Sequence, residues 1–250
     1  MEIDLAFFAY AVPAVLFAGV SKGGFAGGAA FAATPLLALI LGPGEAIGLM
    51  LPLLMLMDVA ALRPYWKKWD TRSALAMISG TIPGILVAAL VYRYTDPDLF
   101  RLLIGLMALA FVGWQGVRRL GLYRPEAHHL SLLAGRVAGF VAGFTSFVSH
   151  AGGPPAAVFL LSRGLDKITY QATSVIVFWA INAAKAVPYA LLGIFTARTL
   201  LADLLLAPVA LLGVWLGVRA HRIVPERAFF ALTYALLLAT GGKLVWDALA

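Results

Sequence analysis

The stretch that decides the fold is Ser-His-Ala-Gly-Gly-Pro-Pro at residues 149–155, which interrupts an apolar run over residues 134–163. A similar stretch, Lys-Gly-Gly-Phe-Ala-Gly-Gly at residues 22–28, interrupts an apolar run over residues 5–41. The run over 5–41 is too long for one membrane-spanning helix of about 20 residues and short for two. Glycine pairs and a proline pair interrupt a helix where they occur. We therefore expect each run to form a broken helical hairpin that enters a membrane and returns.

The composition requires a membrane. Hydrophobic residues make up 62% of the 250 residues and charged residues 12%, with a mean hydropathy of +0.92. A soluble domain has about 45–50% apolar and about 25% charged residues. So few charges cannot cover a soluble surface, which excludes a soluble enzyme, a disordered chain and a nucleic-acid binder despite the net charge of +7. The long apolar runs predict helices rather than a barrel.

Three further apolar runs follow each broken run. They cover 46–62, 73–92 and 98–117 in the first half and 168–195, 201–218 and 228–247 in the second. The halves correspond in order, with Gly27-Gly28 matching Gly152-Gly153, and Asp58 matching Asn182. We predict an all-α polytopic membrane protein with two repeats, residues 1–117 and 134–250, joined by a cytoplasmic linker over 118–133. Because a hairpin plus three spans crosses an odd number of times, the repeats are predicted to be inverted, as in many secondary transporters.

Basic residues set the predicted orientation. If both broken runs return to the side they enter from, 13 of the 19 basic residues share one side: Arg63, Lys67, Lys68, Arg72, Arg118, Arg119, Arg124, Arg136, Arg163, Lys167, Arg219, Arg222 and Arg227. The positive-inside rule makes that side cytoplasmic. Both termini are then predicted to be periplasmic. A second broken run that crossed only once would place Arg219, Arg222 and Arg227 outside.

Four ionisable residues are predicted to lie at membrane depth: Lys22, Asp58, His150 and Lys185. Each costs about 2.5–3.5 kcal/mol at the centre of a membrane helix, so such residues need partners or a water-filled cavity. Lys22 and His150 lie at the two breaks, and Asp58 and Lys185 lie on the corresponding spans of the two halves. Their positions predict a shared site.

The breaks themselves favour an anion. A helix that begins inside the membrane presents N–H groups without intrahelical partners and a positive dipole end. Pro154-Pro155 suits a helix start, and Ser21 and Ser149 are candidate caps. Two such ends, with Lys22 and Lys185, predict an anion site. The predicted substrate-binding residues are Ser21, Lys22, Gly23, Gly24, Gly27, Gly28, Ser149, His150, Gly152, Gly153, Asn182 and Lys185.

Less specific roles compete for these residues. Glycine pairs in membrane helices also serve close helix packing. Asp58 could serve only to neutralise Lys22 or Lys185, and His150 could be a structural hydrogen-bond donor. For proton coupling or gating we favour His150 and Asp58, because histidine has an intrinsic pKa of about 6.5.

The two motifs resemble those of the sulfite exporter TauE/SafE family, also called the TSUP transporters. One is Gly-Val-Ser-Lys-Gly-Gly-Phe-Ala-Gly-Gly at residues 19–28, followed by Pro-Leu-Leu at 35–37. The other is Ala-Gly-Phe-Thr-Ser-Phe-Val-Ser-His-Ala-Gly-Gly-Pro-Pro at residues 142–155. Leu-Asp-Lys at 165–167 and Asn182, Lys185, Pro188 and Tyr189 extend the resemblance, which covers essentially the whole chain.

The resemblance implies export or uptake of small anions, such as sulfite, sulfonates or sulfoacetate, by an ion- or proton-linked carrier in the bacterial inner membrane. The sequence departs from the simplest family pattern at Lys22 and at His150-Ala151, where binding is expected. We expect no cofactor, no metal site and no nucleic-acid partner. The coupling ion, the transport direction and a homodimer stay open.

Three other functions compete with a transporter. An anion channel would share the chemistry of the site without alternating access. An intramembrane serine hydrolase would use Ser149 or Ser146 with a histidine from another segment. A cation or metal carrier fits poorly, because Lys22 and Lys185 outnumber Asp58 near the breaks. No P-loop occurs, so this chain supplies no site for ATP. We therefore predict a transporter and not an enzyme.

Overall fold

The fold is helical throughout the part of the chain that the computed structural model describes, residues 3–24, 29–62, 65–119, 130–220 and 226–250. The helices are α1 Leu5–Gly24, α2 Ala33–Ala38, α3 Pro43–Leu62, α4 Thr71–Tyr94, α5 Pro97–Arg119, α6 Leu132–Ser149, α7 Gly153–Ser162, α8 Lys167–Leu191, α9 Ala197–Ala220 and α10 Glu226–Leu249. A 3-10 turn, Ala30–Ala32, precedes α2. Eight of these helices are long and apolar enough to span a membrane. The predicted all-α polytopic class is confirmed.

Each half contains one long helix, one short helix and three long helices, in that order. The first arms of the two broken runs, α1 and α6, have 20 and 18 residues. At 1.5 Å per residue each arm is about 27–30 Å long, which is the length of a full span. The return arms α2 and α7 have only 6 and 10 residues. Each broken run therefore consists of one helix long enough to span the membrane, followed by a much shorter return helix.

Glycine residues bring α4 and α6 into backbone contact. A methyl group on Gly139 would overlap the carbonyl oxygen of Met77, and one on Gly80 would overlap that of Arg136. Gly84 lies against Phe140 in the same way. From Gly80 beside Arg136 to Gly84 beside Phe140 the residue numbers rise on both helices, so the two helices run parallel. Small residues at the contact allow this close approach.

The contact between α1 and α9 matches it position by position. Gly19 lies against Ala210, and Gly23 lies against the carbonyl group of Val214. From the other side, Gly213 lies against Leu16 and Gly217 against Val20. In both contacts the long arm of one half packs in parallel on the middle span of the other half. This exchange supports the predicted inverted repeat, which itself stays a prediction.

The corresponding outer helices pack in opposite directions. Gly105 of α5 lies against Gly241 and Leu244 of α10, and Gly241 lies in turn against Ala108. Residue numbers fall on one helix as they rise on the other, so α5 and α10 are antiparallel. Gly48 beside Ile194, and Asp58 bonded to Asn182, give the same antiparallel sense to α3 and α8.

Both broken runs return to the side of the bundle on which they begin. In the second half, the Arg163 guanidinium, just after α7, donates to the carbonyl oxygen of Leu130, just before α6, over 3.1 Å. In the first half, α1 begins beside the first turns of α9, and Gly48 of α3 lies against Ile194, just before α9. The helix directions also place the starts of α1 and α5 and the end of α10 on one side of the bundle, so the two ends of the chain share that side.

Candidate anion site at the hairpin breaks

The first charged cluster joins α1, α3 and α8. Lys22, in the last turn of α1, forms an ion pair with Asp58 of α3. The side-chain amide of Asn182 donates to the second carboxylate oxygen of Asp58 over 2.6 Å. The side chains of Lys22 and Asp58 are 10% and 2% exposed. A buried pair of this kind is stable only while both partners and their hydrogen bonds are present.

The second cluster joins α6 and α8 and consists of Ser146, His150 and Lys185. The Lys185 ammonium donates to the Ser146 carbonyl oxygen over 3.0 Å, to Ser146 Oγ over 2.9 Å and to His150 Nδ1 over 2.8 Å. An ammonium group has three protons, so these bonds use all of them. Lys185 is fully buried, at 0% exposure.

The partners of His150 determine its tautomer. Its Nε2 lies 3.1 Å from the carbonyl oxygen of Ile47, which can only accept a hydrogen bond. Nε2 therefore carries the proton, and Nδ1 accepts from Lys185, which makes the ring neutral in this arrangement. Protonation of Nδ1 would require Lys185 to turn away.

His150 also makes the second break. The chain leaves α6 at His150 with φ of 57°, in the left-handed region. The His150 N–H donates to the Ser146 carbonyl oxygen over 2.9 Å, and Thr145 Oγ1 donates to the carbonyl oxygen of Ala151 over 3.0 Å. The left-handed residue is thus His150, which lies within the predicted interruption at residues 149–155. Left-handed residues other than glycine are uncommon and cluster at functional sites.

A small cavity lies between the two clusters. Its wall contains four predicted site residues, Lys22, His150, Gly153 and Asn182. The other lining residues are Ala30, Phe31, Leu54, Ser146 and Phe178. About 20 Å³ is open to the centre of a water molecule, which is room for about one water. A ligand as large as an oxyanion therefore requires the surrounding helices or side chains to move.

The predicted glycines differ in where they lie. Gly23 and Gly24 lie against the α9 backbone at Val214 and Gly217, so they permit close helix packing and are absent from the cavity wall. Gly152 packs on α6 beside Ala142 and Ser146. Gly153 is the glycine that lines the cavity. Gly27 and Gly28 lie outside the described residues.

The predicted caps also differ. Ser21 Oγ accepts from the N–H of Ala29 over 3.1 Å, just before the 3-10 turn. The cap role expected of Ser149 is wrong, because α7 begins after Gly152 and has no side-chain cap. Ser149 Oγ instead lies 3.5 Å from the Thr145 carbonyl oxygen and 3.5 Å from Met107 Sδ.

The start of α7 provides few donors. Pro154 and Pro155 have no N–H, and the N–H of Ala156 already donates to the Gly152 carbonyl oxygen. Only the amides of Gly152 and Gly153 remain at this end. The half-helix end is thus a weaker anion donor than the sequence predicts.

Three residues that the structure singles out were not predicted as site residues. Ser146 and Phe178 line the cavity, and Ser146 lies one helical turn before His150, a spacing that could have identified it. Asp203, in the second turn of α9, is 7% exposed, and neither carboxylate oxygen has a hydrogen-bond partner among the described residues. Asp203 is a further buried carboxylate that the sequence analysis did not single out. Asp203 lies just inside the predicted span 201–218.

A family comparison covers both clusters. A model of the family "Sulfite exporter TauE/SafE" matches residues 11–244, nearly the whole chain. The chain belongs to the TauE/SafE family. Comparisons with curated proteins and with solved structures found no match. TauE/SafE proteins are membrane transporters, and eight span-length helices make this member a multi-pass membrane protein. The resemblance read from the sequence is confirmed.

The serine hydrolase alternative needs a histidine from another segment, and His128, His129 and His221 lie outside the described residues of this TauE/SafE protein. Both ring nitrogens of His150 are engaged, with Ile47 and Lys185, so the ring contacts neither Ser146 Oγ nor Ser149 Oγ.

Proposed function

We propose that this protein is a secondary transporter of a small sulfur-containing oxyanion or organosulfonate, such as sulfite or sulfoacetate. The supporting observation is the cavity between the two hairpin breaks, where Lys22, Ser146, His150 and Asn182 meet. The side chains of Lys22, Ser146 and Asn182 have donor protons beyond their described hydrogen bonds, whereas the N–H of His150 is held by Ile47. Convergent donors with an ammonium group in a nearly dry site are suited to an oxyanion.

Lys22 is the primary anion ligand in this proposal. It lines the cavity and donates one described hydrogen bond, to Asp58, so its ammonium group has protons left for a second acceptor. The protons of Lys185 are already used by Ser146 and His150. Lys185 therefore contributes charge at short range and positions the second cluster.

Asp58 provides a route to coupling. An anion that binds the remaining protons of Lys22 shares the ammonium with Asp58, which also keeps its bond to Asn182. The charge around Asp58 therefore changes when substrate binds. Asp58 is accordingly the proposed gating or coupling partner, with His150 as the second coupling residue.

We further propose that the protein lies in the bacterial inner membrane with Arg118 and Lys167 on the cytoplasmic side. The described basic residues Lys67, Lys68, Arg72, Arg118, Arg163, Lys167 and Arg219 lie at helix ends or loops on that side of the bundle. Both ends of the chain are then periplasmic. We also propose that the two repeats form one integrated membrane domain.

A binding panel tests the proposal. Purified protein is heated with sulfite, sulfate, thiosulfate, taurine or sulfoacetate, because a ligand of the native state stabilises it by RT ln(1+[L]/Kd). We expect a shift in melting temperature with one sulfur oxyanion or sulfonate and none with matched cations. Lys243→Ala is the control for loss of a lysine outside the site and should show the same shift, since Lys243 pairs with Asp247 on the exposed side of α10. Absence of a shift with every anion contradicts the proposal.

Transport in proteoliposomes separates the carrier from the anion channel. A carrier accumulates the anion against its gradient when a pH or ion gradient is imposed, whereas a channel only dissipates gradients. Asp58→Asn should slow transport and leave equilibrium binding nearly unchanged, because the amide keeps the shape of the carboxylate. Accumulation unaffected by Asp58→Asn would remove Asp58 from the coupling step.

A further inference from the structure

Three cavities converge on one side chain, Phe178 of α8. It lines the central cavity with Lys22 and Asn182. It also lines a second small cavity that reaches the Lys22–Asp58 pair past Ser174. It lines a vestibule of about 380 Å³ that contains Arg118. Phe178 is therefore common to the vestibule and to both cavities that contact Lys22.

The vestibule with Arg118 opens on the side of the bundle that we propose to be cytoplasmic. Its wall reaches the start of α7 at Gly153, which also lines the central cavity. The two spaces therefore meet at Gly153 and Phe178. Of these two residues, Phe178 has the side chain that can close the passage.

On the opposite side, several layers of aromatic rings separate the vestibule from the central cavity. The vestibule there has about 340 Å³ and is lined by Tyr92 and Phe100. From these residues a chain of ring contacts leads inward, from Tyr92 to Phe147 at 6.2 Å, from Phe147 to Tyr189 at 4.8 Å and from Tyr189 to His150 at 6.4 Å. Phe147 and Tyr189 are fully buried, and the Tyr189 hydroxyl donates to the Phe147 carbonyl oxygen over 2.6 Å.

The Phe178 ring is held by the residue that is to bind the anion. The Lys22 ammonium lies 5.3 Å from the ring centroid, within the range of a cation–π contact. Phe178 is half-buried and also packs against the apolar cluster that contains Ala156 and Val177. An anion at Lys22 competes with the ring for the same positive charge.

We propose that Phe178 is the gate between the Arg118 vestibule and the central site, and that an anion on Lys22 releases it. Opening this side requires rotation of one ring, whereas opening the other side requires separation of the buried rings of Phe147 and Tyr189. The structure is accordingly closed to both sides but nearest to opening toward Arg118. The inference rests on the proposed transport function for its purpose.

Cysteine labelling tests the gate without measuring transport. The chain contains no cysteine, so Ala30→Cys places a single thiol in the wall of the central cavity. A negatively charged methanethiosulfonate reagent is applied to vesicles of either orientation. We expect Phe178→Ala to raise the labelling rate from the Arg118 side at least about tenfold and to leave the rate from the other side unchanged. Phe230→Ala is the matched control, because Phe230 is also half-buried and lines the vestibule but not the central cavity.

Graded variants keep the test decisive if Phe178→Ala does not fold. Phe178→Leu should speed labelling and Phe178→Trp should slow it, because a larger ring closes the passage more fully. The double variant Lys22→Ala/Asp58→Asn should speed labelling about two- to thirtyfold, the range of one cation–π contact.

The gate proposal is overturned if the labelling rate does not depend on the size of residue 178, or if it rises equally from both sides. If the labelling rates follow the expected order of side-chain size but no sulfur oxyanion stabilises the protein, the gate is supported and the proposed substrate is contradicted. If the protein binds the anion but its labelling rate does not depend on residue 178, only the gate is contradicted.

Discussion

The two clusters at the breaks have different chemistry on a similar scaffold. At the first break, Lys22 meets a carboxylate, Asp58, and the pair is nearly neutral. At the second, Lys185 meets the neutral acceptors Ser146 and His150. Under the proposed function this difference implies a division of labour, in which Lys22 binds the incoming anion and Lys185 holds the second break in shape.

The largest expected effect comes from breaking the ion pair of the first cluster. Lys22→Ala leaves Asp58 buried and unpaired, and removal of one partner from a buried pair costs about 3–5 kcal/mol. We expect a marked fall in thermal stability in detergent. The double variant Lys22→Ala/Asp58→Asn should recover most of that stability because it removes the uncompensated charge. Equal stability of the single and double variants would contradict the pairing.

The second effect compares the two lysines in binding. In the stable double variant Lys22→Ala/Asp58→Asn, loss of a charge-assisted hydrogen bond of about 1.5–3 kcal/mol should weaken anion binding about tenfold to a hundredfold. Lys185→Ala should weaken binding less, because its protons are used by Ser146 and His150. Titration calorimetry measures both affinities. A larger loss for Lys185→Ala would reverse the division of labour.

The third effect concerns pH and the second cluster. His150 takes up a proton only if Lys185 turns away, so the pair should respond to acid as a unit. We expect His150→Gln to flatten the acid side of the pH dependence of transport, because the variant has no ring to take up a proton. His150→Asn is the control for the backbone, because asparagine tolerates the left-handed conformation of this position. An unchanged pH profile in His150→Gln would assign the response to Asp58 or to another coupling ion.

The smallest effect concerns Asp70, which caps α4, the partner of the second long arm. Burial raises the pKa of its carboxyl, but hydrogen bonds from Ser73 and the charges of Arg163 and Arg72 outweigh this and hold the pKa below its usual range. A lowered pKa stabilises the fold above the unfolded value, and that contribution is lost as the pH falls below about 4.

Asp70→Ala should therefore lower stability by about 0.5–2 kcal/mol at neutral pH and by less in acid. The melting temperature followed against pH measures the effect. Asp98→Ala serves as the comparison, because Asp98 pairs with Arg101 at an exposed helix start. A difference between wild type and Asp70→Ala that does not shrink in acid would contradict the assignment.

The sequence predicted the helices well because their signal is local. Residues 73–92 and 98–117 were expected as spans, and the helices are Thr71–Tyr94 and Pro97–Arg119. The expected span 168–195 ends earlier, at Leu191, since the chain turns through Gly193 with φ of 69°. Apolar runs show where a helix lies but not where a turn cuts it short.

The site was predicted in part because its contacts are not local. The sequence identified Lys22 and Asp58 as deep residues but could not decide whether Asp58 pairs with Lys22 or Lys185, which depends on how α1, α3 and α8 pack. It also could not separate glycines that face a ligand from those that face a helix. Gly23 proved to face the α9 backbone, whereas Gly153 lines the cavity.

The exchanged glycine contacts have a consequence for the order of assembly during synthesis. Gly139 of α6 meets Met77 of α4 after about 60 residues of chain, so this pair can form while the second half is still being made. Gly19 of α1 must wait about 190 residues for Ala210 of α9. Until then α1 displays its glycine face to lipid or to other helices. The helix α1, which is made before the other described helices, is thus among the last to find its partner, and a chain truncated before α9 cannot complete its first half.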